Sequence, residues 1–70
     1  MDSANAKDLG TKFKKVREEE NFTQAQVAKK AQIHVNYYAR IERGEVVPRW
    51  DIVSKVAKAL SIKLKLPLEN

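Results

Sequence analysis

The chain lacks the residues that build disulfides and most metal centres. Its 70 residues include no cysteine and a single histidine, His34. Without cysteine, neither a disulfide nor a thiolate metal site can form, and one isolated histidine argues against a metal cluster. We therefore expect no metal and no cofactor.

Long apolar runs are also missing. No stretch approaches the roughly 20 apolar residues that span a bilayer. Segment 1–7 is polar and has none of the apolar centre of a secretory signal. These absences predict a cytoplasmic protein with no membrane partner.

Charge is unbalanced toward the positive side. Fourteen Lys and Arg stand against nine Asp and Glu, which gives a formal net charge of +5. An excess of this sign suits a polyanionic partner such as nucleic acid. Many small domains are basic for no such reason, so charge alone leaves an ordinary solvated surface equally open.

A chain of this length permits one domain, which we divide into three segments. Residues 1–6 are small and polar, and we expect a flexible N-terminus. Residues 7–62 show apolar positions at helical spacing and predict the folded domain. Residues 63–70 form a C-terminal tail or a dimerisation strand.

Apolar side chains recur at helical spacing near both ends of this domain, which favours an all-α fold of four to five helices. The first helix is expected over residues 7–20, with Leu9, Phe13 and Val16 on its apolar face. A later helix is defined by Trp50, Val53, Val56, Ala57 and Leu60.

Residues 22–44 predict two short helices joined by a tight turn. Thr23 and Gln26 have the spacing of a capping box, in which each side chain bonds the other residue's backbone amide. The second of the two helices, about residues 34–43, has Tyr38 and Ile41 on one side. Gly44 follows as a helix-ending residue.

The segment Ile62-Lys63-Leu64-Lys65-Leu66 alternates apolar and basic residues, which is the period of a strand. Two alternatives are open. The strand pairs with the same strand of a second chain, or the segment is a basic tail that packs Leu64 on the core.

The pattern TQxxVAxxAxI…YxxRIERG resembles the helix-turn-helix of phage repressor and Cro-like regulators, also called the xenobiotic-response-element family. The flanking segments LGTKFKKVR and PRWDIVSKVAKALSI are similar to the first and fourth helices of that family. The resemblance implies a compact repressor-like domain. It also implies sequence-specific binding of double-stranded DNA by a transcription regulator, as a homodimer and without a small-molecule ligand.

The chemistry of the middle helix suits base recognition, because a helix fits the major groove. Arg40 suits guanine and Asn36 suits adenine, each through two hydrogen bonds, and Val35 suits a thymine methyl. The family's base-reading positions fall on these three residues, with Tyr37 at the margin. The alternative is that Asn36 and Arg40 are merely solvated.

Phosphate contacts are expected at the rim of this surface, including the loop after Gly44. Gln24 lies in the first turn of a helix, where backbone amides attract phosphate, and related proteins also use this glutamine to brace the recognition helix. The expected phosphate-binding residues are Thr23, Gln24, His34 and Arg43.

The resemblance also implies a structural ion pair between Arg17 and Glu42, joining the first and third helices. The alternative is that both side chains are exposed and independent.

Two positions at the turn depart from the family pattern. Gln32 stands where the turn usually has glycine, so either Gln32 is strained, at a cost of about 1 kcal/mol or more, or the second helix ends differently. His34 replaces the usual Ser or Thr cap, which predicts a looser helix start.

We favour the DNA-binding regulator, and the alternative is a protein-interaction adaptor or anti-repressor that keeps the fold without specific DNA binding. An enzyme is not expected, because the sequence has no nucleophile–base arrangement and no phosphate-cradling glycine loop. The pattern does not choose among phage repressors, restriction-modification controllers and antitoxins.

Overall fold

Four α-helices form the part of the chain described by the computed structural model, residues 3–62. They are α1 (Ser3–Glu19), α2 (Gln24–Ala31), α3 (Val35–Glu42) and α4 (Trp50–Ala59). α1 packs against α3, and α2 packs against both α3 and α4. The all-α prediction is confirmed, whereas the possible strand within residues 63–70 lies outside the described residues.

The helices are held together by a core of apolar side chains. The largest side chains that are fully buried are Tyr38, Ile41, Leu60, Val27 and Val56. Each buried Val, Leu or Ile side chain contributes about 1.5–3 kcal/mol relative to its exposed state. Because α2 and α3 have only eight residues each, and isolated helices this short are marginal in water, packing on this core is what keeps them helical.

Two features differ from the sequence-based expectation. α1 begins at Ser3 rather than at residue 7, inside the segment assigned to a flexible end, because Ala6 is buried and extends the apolar face by a turn. Trp50 was expected on the buried face of α4 but is 53% exposed. It is the first residue of α4, and Pro48, two residues earlier, is the one buried at this end.

The starts of the helices differ in how their free amides are satisfied. Thr23 and Gln26 form both bonds of the capping box, at 3.1 and 2.8 Å. His34 caps α3, because its Nδ1 accepts a hydrogen bond from the Asn36 amide at 3.1 Å. The side chain of Arg49 makes no such bond at the start of α4 within residues 3–62.

The ends of the four helices follow one pattern. A residue with left-handed backbone comes after the last turn, and the next residue donates its amide to the carbonyl oxygen five positions earlier, which is the Schellman motif. The left-handed residues are Asn21, Gln32, Gly44 and Ser61, with φ between 59° and 73°. Of the two alternatives for Gln32, the strained one is therefore present.

In a Schellman motif the residue after the left-handed position commonly makes an apolar contact with the last turn of the helix. Phe22, Ile33 and Ile62 occupy this position after α1, α2 and α4, and all three pack against the core. After α3 the same position holds Glu45, which is exposed. The end of α3 therefore presents a carboxylate to solvent where the other three ends present an apolar side chain to the core.

Candidate nucleic-acid interface

α3 has one face in the core and one face in solvent. Tyr38 and Ile41 are buried, and Asn36 and Arg40 are exposed. Because residues four apart lie on the same side of a helix, Asn36 and Arg40 form one polar strip above a rigid apolar base. Val35, 37% exposed, lies at its N-terminal end.

Tyr37 lies beside this strip rather than on it. Its side chain is half-buried and packs against the core. The structure therefore places Tyr37 at the flank of the exposed face of α3.

The start of α2 lies against α3. Gln24 is half-buried, and its Nε2 donates a hydrogen bond to Glu42 Oε1 at 2.9 Å. Thr23, next to it, is exposed, and its hydroxyl accepts from the Gln26 amide. The side-chain polar groups of Thr23 and Gln24 are thus engaged within the protein.

Arg17 and Glu42 do pair between α1 and α3. Arg17 Nε lies 2.6 Å from Glu42 Oε2, and Nη2 lies 3.1 Å from Oε1. Arg17 Nη1 also donates to the Phe22 carbonyl oxygen at 2.9 Å. The two side chains are only 13% and 2% exposed, so this two-point contact is largely shielded from water.

The charge state of this pair follows from its surroundings. Burial by itself raises the pKa of the Glu42 carboxyl, but hydrogen bonds, led by those from Arg17, outweigh burial and hold the pKa below its ordinary value. The Tyr38 hydroxyl is buried beside this pair without a well-formed hydrogen bond among the described residues. Burial first, and then the nearby carboxylate, raise the pKa of Tyr38 well above its ordinary value. At neutral pH the cluster is therefore a carboxylate matched by one guanidinium and a neutral phenol.

Sequence analysis missed Glu45 as a partner of the exposed arginines. Its carboxylate accepts hydrogen bonds from Arg43 Nε at 2.6 Å and from Nη2 at 3.2 Å. Arg40 Nε lies 3.6 Å from Glu45 Oε1. The available signal was the position of an acid directly after Gly44, where the helix-ending motif turns it back toward the last turn of α3.

A family model described as Helix-turn-helix matches residues 13–66, which is more than half of the chain. The chain belongs to the Cro/C1-type helix-turn-helix family. No curated protein and no solved structure matched the chain.

Membership in the helix-turn-helix family assigns roles to the elements already described. The family comprises DNA-binding transcription regulators and is typically not enzymatic. α2 and α3 are the two helices of its motif, residues 32–34 form the turn, and α3 is the second helix, which such motifs place in the major groove.

Other candidate sites on this helix-turn-helix domain are sparse. No group of three or more potential metal ligands is found among residues 3–62. None of the four helices there is long and apolar enough to cross a bilayer. Val47, in the segment between α3 and α4, and Trp50, the first residue of α4, are large apolar side chains that are more than half exposed.

Proposed function

We propose that this protein binds a specific double-stranded DNA operator as a small transcription regulator, with α3 in the major groove. One observation supports this most. Asn36 and Arg40 extend into solvent from a helix whose opposite side is anchored by Tyr38 and Ile41. The family assignment gives DNA binding in general, and this face gives it a chemical mechanism.

Three side chains supply the base contacts in this proposal. Arg40 donates two hydrogen bonds to guanine O6 and N7, Asn36 pairs with adenine N6 and N7, and Val35 touches a thymine methyl. Each bidentate pair discriminates against a wrong base by about 1–3 kcal/mol. Tyr37 contributes from the flank of the strip.

Phosphate contacts orient the protein on the duplex in this proposal. Arg43 and His34 lie exposed near the two ends of α3. Thr23 and Gln24 lie at the start of α2, where the free backbone amides attract phosphate. Because the Gln24 side chain bonds Glu42, it holds the start of α2 against α3. These amides can then contact the phosphates of the DNA backbone.

The network around Glu42 sets the angle of α3 in this proposal. Arg17, from α1, and Gln24, from α2, both donate to this one carboxylate on α3. A bidentate contact of arginine with a carboxylate restricts orientation more than a single bond does. α3 therefore reaches the groove with its direction fixed by its two neighbouring helices.

The proposed working unit is a homodimer on a two-fold operator. One recognition helix makes few base contacts, and two of them match half-sites about one helical turn apart. The side chains of Val47 and Trp50 supply exposed apolar surface that a second copy would cover. Light scattering of the chain is expected to give twice 8.0 kDa, and Trp50→Gln is expected to lower the dimer fraction. A monomer at every concentration would remove the dimer from the proposal.

A second candidate function is a protein-interaction adaptor without specific DNA binding. Two observations favour it: Val47 and Trp50 are exposed, and Glu45 engages both arginines of the α3 surface. In that case Arg40 and Asn36 would have no base partner.

Selection from a random duplex pool tests the two candidates. A regulator is expected to enrich a motif with two-fold symmetry, and its affinity should fall linearly with salt on logarithmic axes. Absence of an enriched motif, together with a DNA affinity that does not change with salt concentration, would favour the adaptor. Lys15→Ala is a suitable charge control, because Lys15 is exposed on the outer side of α1.

A further inference from the structure

We infer that Glu45 competes with DNA for the guanidinium groups of Arg40 and Arg43, with phosphate at Arg43 and with guanine at Arg40, and that it restrains binding of this surface to DNA of arbitrary sequence. The inference rests on the proposed DNA-binding function. It assigns a regulatory part in that function to an acid outside the helix that contacts the bases.

The backbone accounts for the position of Glu45. Its amide donates to the Arg40 carbonyl oxygen at 3.0 Å, and the left-handed backbone of Gly44 makes this return possible. Phe22, Ile33 and Ile62 hold the equivalent position after the other helices and pack on the core. At the end of α3 alone among the four helices of residues 3–62, this position carries a charge.

The carboxylate uses the donors that a phosphate needs. Arg43 points Nε and Nη2 at the two oxygens of Glu45, and this planar fork is also the geometry by which arginine binds phosphate oxygens. Arg40 Nε faces Oε1 of the same carboxylate at 3.6 Å. A phosphate at Arg43 must therefore displace Glu45 or approach against its repulsion, and a guanine at Arg40 must compete with the same carboxylate.

The charges of Arg40, Arg43 and Glu45 also support competition between Glu45 and DNA. Within the described residues, one acid is shared by the two arginines of this surface. Hydrogen bonds from Arg43, more than any other influence, lower the pKa of Glu45, so the carboxylate is charged at neutral pH. Arg40, Arg43 and Glu45 are all exposed. An anion from solvent can therefore replace the Glu45 carboxylate at either arginine.

The test compares Glu45→Gln with Glu19→Gln on a duplex of random sequence. Both variants raise the net charge by one, but Glu19 is the last residue of α1, whereas Gly44, next to Glu45, lies against Lys7 near the start of α1. Glu45→Gln is expected to bind about threefold to fivefold tighter at low salt, the range of an exposed ion pair. Its slope of log affinity against log salt is expected to steepen by about one unit, because a released arginine neutralises one more phosphate. Glu19→Gln is expected to change neither quantity appreciably.

A second background separates competition from a general charge effect. In the presence of Arg43→Gln, the gain from Glu45→Gln is expected to shrink, because the main partner of the carboxylate is gone. An undiminished gain in that background would overturn the assignment to Arg43. Thermal unfolding of all variants should stay within a few degrees of the parent, since the changed side chains are exposed and an exposed ion pair contributes little to stability.

Two further results would overturn the inference. Equal behaviour of Glu45→Gln and Glu19→Gln would show that only net charge matters. Weaker operator binding with a changed base preference would show that Glu45 contacts a base directly, as acids do with cytosine N4. If the parent itself binds neither random nor selected duplex, the proposed function fails, and this inference fails with it.

Discussion

Gln24 Nε2 donates a hydrogen bond to Glu42 Oε1 at 2.9 Å, and the same carboxylate accepts two hydrogen bonds from Arg17. One buried acid therefore connects α1, α2 and α3. Removing one partner from such a cluster costs more than the net worth of the contact, because the remaining charge is left without a match.

We predict that stability depends on pH through Glu42. Its pKa is lower in the folded than in the unfolded chain, since hydrogen bonds led by those from Arg17 outweigh burial. The stabilisation is therefore complete above the unfolded value of about 4.3 and is lost as the pH falls through the lower folded value. Urea unfolding between pH 7 and pH 2 is the measurement.

Glu42→Gln provides the matched variant for this pH prediction. It is expected to lose about 1–3 kcal/mol at pH 7, the cost of leaving a buried group without its partner, here the Arg17 guanidinium, and to show a shallower decline in acid. Glu19→Gln, an exposed substitution, is expected to follow the parent. An identical acid profile for Glu42→Gln and the parent would contradict the role assigned to this carboxylate.

We predict that Gly10→Ala destabilises the fold by about 1–3 kcal/mol, the usual cost of overpacking. A Cβ at Gly10 would lie 2.6 Å from the Glu42 carbonyl oxygen and would also meet that of Ile41. α1 must then move away from α3, which disturbs the Arg17–Glu42 contact. Chemical denaturation measures the loss, and Thr11→Ala, at the exposed neighbouring position, is the control. Parent-like stability for Gly10→Ala would mean that the two helices are less closely packed than described.

We predict that Gln32→Gly stabilises the protein by about 0.5–1 kcal/mol. The left-handed backbone of Gln32, at φ 60°, costs a residue with a side chain about 1–2 kcal/mol, and the greater unfolded entropy of glycine offsets part of the gain. The melting temperature should rise by a few degrees, since about 1 kcal/mol shifts a domain of this size by roughly 4–8 °C. Lys29→Gly, inside α2, should instead lose about 1 kcal/mol; a shift of the same sign in both variants would speak against strain at Gln32.

We predict that Arg40→Ala relaxes base preference at one position in each half-site. Loss of a bidentate contact to guanine should weaken operator binding by about 1–3 kcal/mol, while binding to random duplex changes much less. Selection from a random pool reports the motif, with Lys15→Ala as the charge control. If parent and Arg40→Ala select the same motif, Arg40 does not contact a base.

The helices and most of the core could be predicted from the sequence, because helical periodicity and caps are local signals. Val27 and Ala31, for example, have the spacing of a buried stripe and are buried. The Thr23–Gln26 capping box also follows from residues three apart. These features need no knowledge of how distant segments meet.

Features that depend on contacts between distant segments were harder to predict from the sequence. The Arg17–Glu42 pair joins residues 25 apart in sequence, and it was suggested only by resemblance to a family. The contact of Gln24 with Glu42 also joins residues that are distant in sequence, and it too was suggested only by the resemblance. Trp50 was assigned to the core from its spacing, but spacing does not tell whether the first turn of a helix extends past its neighbours.

Glu45 was missed for a different reason. Its side chain is set by a helix-ending motif, and that motif is fixed by backbone bonds that the sequence shows only through Gly44. An acid after a glycine is ordinarily assigned to a solvated loop. The pairing of Glu45 with Arg43 can be recognised only in the folded chain, where the helix-ending motif directs Glu45 toward the last turn of α3.

The exposure of Trp50 makes the chain its own fluorescent reporter. It is the only tryptophan, and it lies at the start of α4 with 53% of its surface exposed. Its emission should respond weakly to denaturation and strongly to any macromolecule that docks nearby, through a blue shift or quenching. Unlabelled protein therefore suffices for titrations, and the melting of the helices is better followed by circular dichroism.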